Sequence, residues 1–333
     1  MLCFILLLLV SVLPLITAMP GGAAPYRVST QAESWTVNRA VLHQESYGSV
    51  AMIRYHGDVG IKLSSSLLTL KSDVEDYQTV GAHIGSALNE EGAVDFSYAK
   101  TNSSAKSIRE EFGVTTETKT EMTKESFSIG CSVLFGDSLY LGGLVRNVTV
   151  KEEVSAASGN QTGKTSYVTY EPQILLHKGI WELELRYTPT ISVEETNVSD
   201  SETGTLSLLA GLLTERFYLG LRLTHNRNEK VDNGTHNTLS LGVLAEFGLE
   251  FMRLGGGVRY DPASYEDSAS LSPSNIELIT AHVYGDIDLV DGLELQVALA
   301  KEVGGTDRDD YFGAQVEVYS QATLVLVGLG WRG

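Results

Sequence analysis

Several short stretches carry residue types able to do chemistry, and each lacks the neighbour that its chemistry needs. Gly159-Asn160-Gln161-Thr162-Gly163-Lys164-Thr165 has the glycines, lysine and hydroxyl of a phosphate cradle. Its spacing is one residue short, and no helical pattern follows to aim backbone N–H groups at a phosphate. Gly328-x-Gly330-x-x-Gly333 matches a dinucleotide pattern only in its letters, at the chain end. The histidines at 43, 56, 83, 177, 225, 236 and 282 show no ligand spacing, and Cys3 and Cys131 form no chelating pair. A hydrolase could draw on His225, His236, Ser240, Asp309 and Asp310, but no motif joins them, and loop polarity accounts for them more simply. The Asn-x-Ser/Thr triplets at Asn102, Asn147, Asn160, Asn197 and Asn233 arise readily in a chain rich in Ser and Thr. No catalytic group, metal or cofactor is expected.

The remaining chemistry is charge arranged by period. In Ile180 to Val193 one parity reads Trp181, Leu183, Leu185, Tyr187, Pro189, Ile191 and Val193, and the other Ile180, Glu182, Glu184, Arg186 and Thr188. Period two is the signature of a strand whose faces meet different surroundings. Phe217, Leu219, Leu221 and Leu223 oppose Tyr218, Gly220, Arg222 and Thr224 in the same way. An arginine facing lipid at the bilayer midplane costs about 2–4 kcal/mol, so the charged parity must face inward. The inward set becomes Arg146, Glu182, Glu184, Arg186, Arg222, Glu246, Arg253, Arg259, Glu277, Asp286, Asp288, Glu294 and Glu317. Across an aqueous constriction, such charges would select ions. Small inward residues such as Ser126, Ser128, Gly220, Gly255 and Gly257 leave room for water.

The elements that must carry these residues are strands. Alternating segments of roughly ten residues run over Gln78–Leu88, Ala93–Thr101, Glu125–Phe135, Ser138–Val150, Thr165–Leu176, Ile180–Val193 and Thr205–Leu213. They continue over Phe217–Arg227, Thr238–Phe247, Leu249–Tyr260, Asn275–Leu289, Gly292–Val303, Asp310–Ser320 and Ala322–Trp331. That is about fourteen strands, within a range of about 12–16, and Ser49–Tyr55 with Val59–Leu70 would extend the count. Within successive pairs the joints are tight: 89–92, 136–137, 177–179, 214–216, 247–248, 290–292 and 320–321. Between pairs they are mostly long and polar, as in Asn102–Lys124, Lys151–Lys164, Glu194–Gly204, Asn228–Asn237 and Asp261–Ser274. The first of these is the longest and is expected to fold into the bore as a constriction.

This pattern predicts an all-β, closed antiparallel transmembrane β-barrel with short turns on one rim and long loops on the other. Phe135, Tyr140, Trp181, Phe217, Phe247 and Trp331 are expected to form an aromatic girdle at headgroup depth. At least one boundary must lie elsewhere, or a further strand exists. With every tight joint on one rim, the last strand would end among the loops, whereas both termini belong beside the turns.

Over nearly the whole chain after the leader, the sequence resembles bacterial outer-membrane β-barrels of the porin-like kind. The tail Val325-Leu326-Val327-Gly328-Leu329-Gly330-Trp331-Arg332 resembles their closing strands, although the chain ends in Gly333 where that class commonly ends in an aromatic. The resemblance implies an outer-membrane location, insertion by the assembly machinery, lipid around the wall and passive passage of small hydrophilic solutes or ions. A homo-oligomer is compatible with it. The alternative is a non-channel barrel that acts through its acidic loops in binding, adhesion or membrane maintenance.

The bulk numbers agree. Of 333 residues, 43% are hydrophobic and 20% charged, enough apolar surface for a sizeable wall. Residues Met1 to Ala18 read as a signal peptide, possible to extend to residue 24, though no Lys or Arg precedes the apolar run. Residues 25–47 then form an N-terminal segment and 48–333 the barrel. The net charge of −18 excludes nucleic acid as a partner. With Cys3 in the leader, Cys131 has no partner for an intrachain disulfide.

Overall fold

The computed structural model describes residues 28–29, 36–37, 43, 46–64, 68–157, 159–189, 201–214, 216–230, 234–249, 251–266, 274–290, 292–306, 309–311 and 314–333. The expected signal segment lies outside them. Fourteen antiparallel strands close into a barrel. They are β1 Tyr47–Ser64, β2 Leu68–Ala87, β3 Gly92–Glu111, β4 Val114–Phe135, β5 Leu139–Ala156, β6 Gly159–Lys178 and β7 Trp181–Thr188. The series continues with β8 Ser201–Leu213, β9 Phe217–Lys230, β10 Gly234–Gly248, β11 Met252–Glu266, β12 Ser274–Val290, β13 Leu293–Thr306 and β14 Ala314–Arg332. Each pairs with its sequence neighbours, and β14 closes the wall by pairing with both β13 and β1. A closed sheet has no edge, so every ladder N–H and C=O within lipid finds a partner.

The strand number agrees with the sequence reading because joining Asp310–Ser320 with Ala322–Trp331 removes one strand, and β1, formed from Ser49–Tyr55 and the first part of Val59–Leu70 outside that fourteen, adds one. Ser320 and Gln321, expected as a turn, continue β14, where Ser320 pairs with Val59 and Gly304 and Gln321 with Asp58 and Val303. The β1 ladder runs on past this level to Gln315↔Ser64, and that continuation outweighs the local polarity. At the other end of the chain, His56-Gly57-Asp58 looks like a break, yet β1 passes through it as one strand with a register shift between Tyr55 and Gly60. Gly57 has φ 147°, and a Cβ there would meet the backbone of Gln321 and Ala322. The β1–β14 seam is thus tight enough at this point to demand glycine. With β14 whole, both barrel ends reach the short-turn rim, where Ser46 and Gly333 exchange two backbone hydrogen bonds of 3.0 Å.

The stretch Asn102–Lys124, expected as a loop folded into the bore, is instead a paired extension of β3 and β4. The ladder runs unbroken from Asn102↔Thr123 to Glu111↔Val114 around a turn at Phe112 and Gly113, both with positive φ (51° and 77°). Lys151–Lys164 is likewise paired up to Ala156↔Gly159. Strands β3 to β6 are therefore 18 to 22 residues long, about twice what a bilayer requires. Ion pairs Lys106–Glu117 (2.9 Å), Arg109–Glu111 (2.6 Å) and Lys119–Glu121 (2.8 Å) populate the extension. Beside Glu121, the Lys119 ammonium is held above the usual lysine range.

The outer face carries the apolar surface. Leu183, Leu185, Val168, Ile174, Leu221, Val258, Ile279, Val283, Val297 and Val327 are all exposed. From Val168 to Leu176 the aliphatic rows of β6 span eight steps, about 20 Å of height at the usual rise and tilt. On β3 and β4 the exposed apolar and aromatic rows end at Tyr98 and Phe127, with Lys100 and Glu125 in the next outward row. Around the short-turn rim, Phe135, Trp181, Phe217, Phe247 and Trp331 stand on the outward parity, joined by exposed Phe251. Tyr140 does not join this girdle. It is 6% exposed on the inward parity of β5 and packs with Leu175.

Candidate functional site

Charge collects inside the wall. Glu182 and Glu184 are buried on β7, between exposed Trp181, Leu183 and Leu185. Arg186 binds Glu184 and lies 3.8 Å from Glu171 of β6, whose carboxylate also accepts a hydrogen bond from Thr188 (3.2 Å). His177 Nδ1 is 3.8 Å from Glu182. On the opposite arc, Arg332 donates to Glu294 (2.5 and 3.1 Å) and lies 3.4 Å from Asp288, while Arg253 is 3.9 Å from Glu294. Gln296 donates to Glu294 (3.1 Å) and to Tyr47 Oη (2.6 Å), and Tyr284 Oη donates to Glu246 (2.6 Å). Buried charges persist only when paired and hydrogen-bonded in this manner.

Glycines and tyrosines shape this interior together. The Tyr218 ring fills the space over both Gly211 and Gly220, and the Tyr284 ring covers Gly255. An aromatic lying flat over a strand glycine shields backbone that has no side chain of its own. Tyr218, Leu175 and Tyr47 are at most 1% exposed, so the short-turn half of the lumen is densely packed. His43, ahead of β1, reaches this packing: its Nε2 lies 3.0 Å from Ser132 Oγ, and its ring meets Tyr140 edge-on at 5.0 Å. Sequence reasoning did not pick out His43, Tyr47, Asp95 or Gln296. Asp95 was recoverable, because it shares the inward parity of β3 with Thr101 and sits 3.4 Å from His83.

Nearer the loops, Arg222 and Arg259 flank Gly242 on adjacent strands, and Arg259 donates to Asp261 (2.6 Å). Arg146 donates to Ser128 (3.3 Å) across β5 and β4. Of the residues expected inside, Arg146, Glu182, Glu184, Arg186, Arg222, Glu246, Arg253, Arg259, Asp286 and Glu294 lie on the buried parity, with Asp288 at the rim end of it. Glu277 is a correction. It shares the outward parity of Ile279 and Val283, and its carboxylate bonds Tyr260 on the outside of the wall. On one regular strand, residues nine apart face opposite sides, so Glu277 and Asp286 cannot both point inward. Glu317 lies in β14, with its side chain outside the described residues.

Ser240 faces inward and His225 outward, so this pair cannot share a proton. Among the described residues no His, Cys, Asp and Glu group is arranged to hold a metal ion, and no helix is long and apolar enough to cross a membrane.

No family model and no curated relative matches the chain. Solved structures do. A FadL homologue from Pseudomonas aeruginosa aligns with TM-score 0.57 and 11% identity over 94% of this chain and 99% of its own. The CymD monoaromatic hydrocarbon channel gives TM-score 0.58 and 9% identity over 94% of both chains. A TodX monoaromatic hydrocarbon channel lacking S2 and S3 gives 0.57 and 10%, over 89% of this chain and 94% of its own. At such identities the likeness is one of fold. Together with the aliphatic outer belt, it gives the chain the fold of bacterial outer-membrane β-barrels.

Proposed function

We propose that the protein is an outer-membrane channel passing small hydrophilic solutes or ions down their gradient. The observation that carries this reading is the continuous run of charged side chains on the inner face, from Arg222 and Arg259 toward the loops to Glu246 and Glu294 near the turns. A wall that only had to close would fill its interior more cheaply with apolar side chains. Two proteins of the same fold are hydrocarbon channels. The polar lining here favours a hydrophilic cargo instead. Folded protein in planar bilayers should give discrete conductance steps, and a silent bilayer containing folded protein would contradict the proposal.

A second reading, a non-conducting barrel acting through its polar extension, is favoured by the packing around Tyr218, Leu175 and Tyr47. The two separate on Tyr218→Ala. In a channel narrowed at this level, the substitution raises single-channel conductance. In a barrel plugged along its length, wild type and variant are equally silent.

A further inference from the structure

The loop-side margin of the lipid belt on β3 to β6 has a charge of opposite sign to the chain as a whole. Net charge is −18, yet the first two outward rows beyond the aliphatic belt on these strands carry Lys100, Lys151 and Lys164 against one acid, Glu125. Lys100 engages Glu125 at 3.0 Å. That carboxylate is held below its usual range, chiefly by Lys100 and secondarily by Lys151 and Lys164. Lys151 and Lys164 are exposed, sit directly opposite each other in the β5–β6 ladder, and make no ion pair among the described residues. Like charges directly opposite across strands are destabilising. A bridging anion would reverse the sign of that interaction.

The patch also has hydroxyls at the right level. Thr149 and Ser166 are hydrogen-bonded at 3.1 Å in the row between the lysine pair and the belt. Glu121 and Glu153 stand one row farther out, which confines the positive band to headgroup depth. We propose that this patch binds the phosphorylated headgroup of an outer-leaflet lipid, with the phosphate bridging Lys151 and Lys164. The proposal rests on the membrane-spanning reading of the barrel and is independent of whether the lumen conducts.

The test uses full-length folded protein in nanodiscs. Native mass spectrometry would measure retention of diphosphorylated lipid A, of fully dephosphorylated lipid A, and of the diphosphorylated form against millimolar inorganic phosphate. A lysine near a charged lipid surface contributes about fivefold in affinity, so K151Q/K164Q should retain the diphosphorylated lipid about thirtyfold less than wild type. Its heat-modifiable migration should be unchanged. The assignment is overturned if the dephosphorylated lipid is retained equally, if the variant retains lipid as wild type does, or if inorganic phosphate displaces the lipid. A wild type that does not enter nanodiscs overturns the membrane reading itself, a result distinguishable from the others.

Discussion

Single residues in this protein do their work by parity, and where the sequence could be read it was parity that made it readable. Glu182, Glu184 and Arg186 alternate with Trp181, Leu183, Leu185 and Tyr187, so their burial follows from the cost of charge in lipid. Tyr140 misleads because an aromatic beside a turn looks like girdle. Its even spacing from Arg146 nevertheless fixes it inside. Glu277 misleads for the opposite reason: near the loop margin an outward acid costs little, so its charge carries no information about facing. What no local pattern reveals is contact between distant strands, such as Gln296 with Tyr47 across the β13–β14–β1 seam. The tyrosine–glycine pairs make one clear prediction at this scale. Gly255→Val would drive the Tyr284 ring off the wall and break its 2.6 Å bond to Glu246. Overpacking of this kind costs about 1–3 kcal/mol, to be read as a lower urea midpoint in lipid vesicles. Gly163→Val, where nothing lies within 4 Å of the added Cβ, should leave the midpoint unchanged.

Among the elements, what the sequence conveyed well was the lipid-facing half of each strand, because lipid imposes strict alternation there. Beyond the belt both faces meet water and alternation fades, so the outer halves of β3 to β6 read as loops even though their ladders continue. Ser320–Gln321 in β14 resembles a turn for the same reason, and Gly57 in β1 resembles a break because a bulge and a turn favour the same residues. If the belt alone drives folding, the extension is dispensable for it. Replacing residues 104–121 by a two-residue Asn-Gly turn, which joins the paired positions Ser103 and Met122, should leave heat-modifiable migration intact. Loss of that mobility shift would mean the extension takes part in barrel closure.

The whole molecule is one closed sheet with two surroundings. Its inner face is acid-rich where packing is densest: Asp95, Glu182, Glu184, Glu246, Asp286 and Glu294 are buried there, with Arg253 the buried guanidinium near them among the described residues. Carboxylate-lined constrictions favour cations. The reversal potential in a potassium chloride gradient should therefore have the cation-selective sign, and an anion-selective potential would show that Arg222 and Arg259 control passage instead. The most direct measurement of the two-surroundings claim is fluorescence quenching of single-cysteine labels in a Cys131→Ser background. Labels at Val168 and Leu185 would be compared with labels at the inward, half-buried Ser126 and Thr224, using brominated lipid and a water-soluble quencher. The account predicts that brominated lipid quenches only the first pair and that the aqueous quencher reaches only the second. Labels of both parities responding alike to the two quenchers would contradict it.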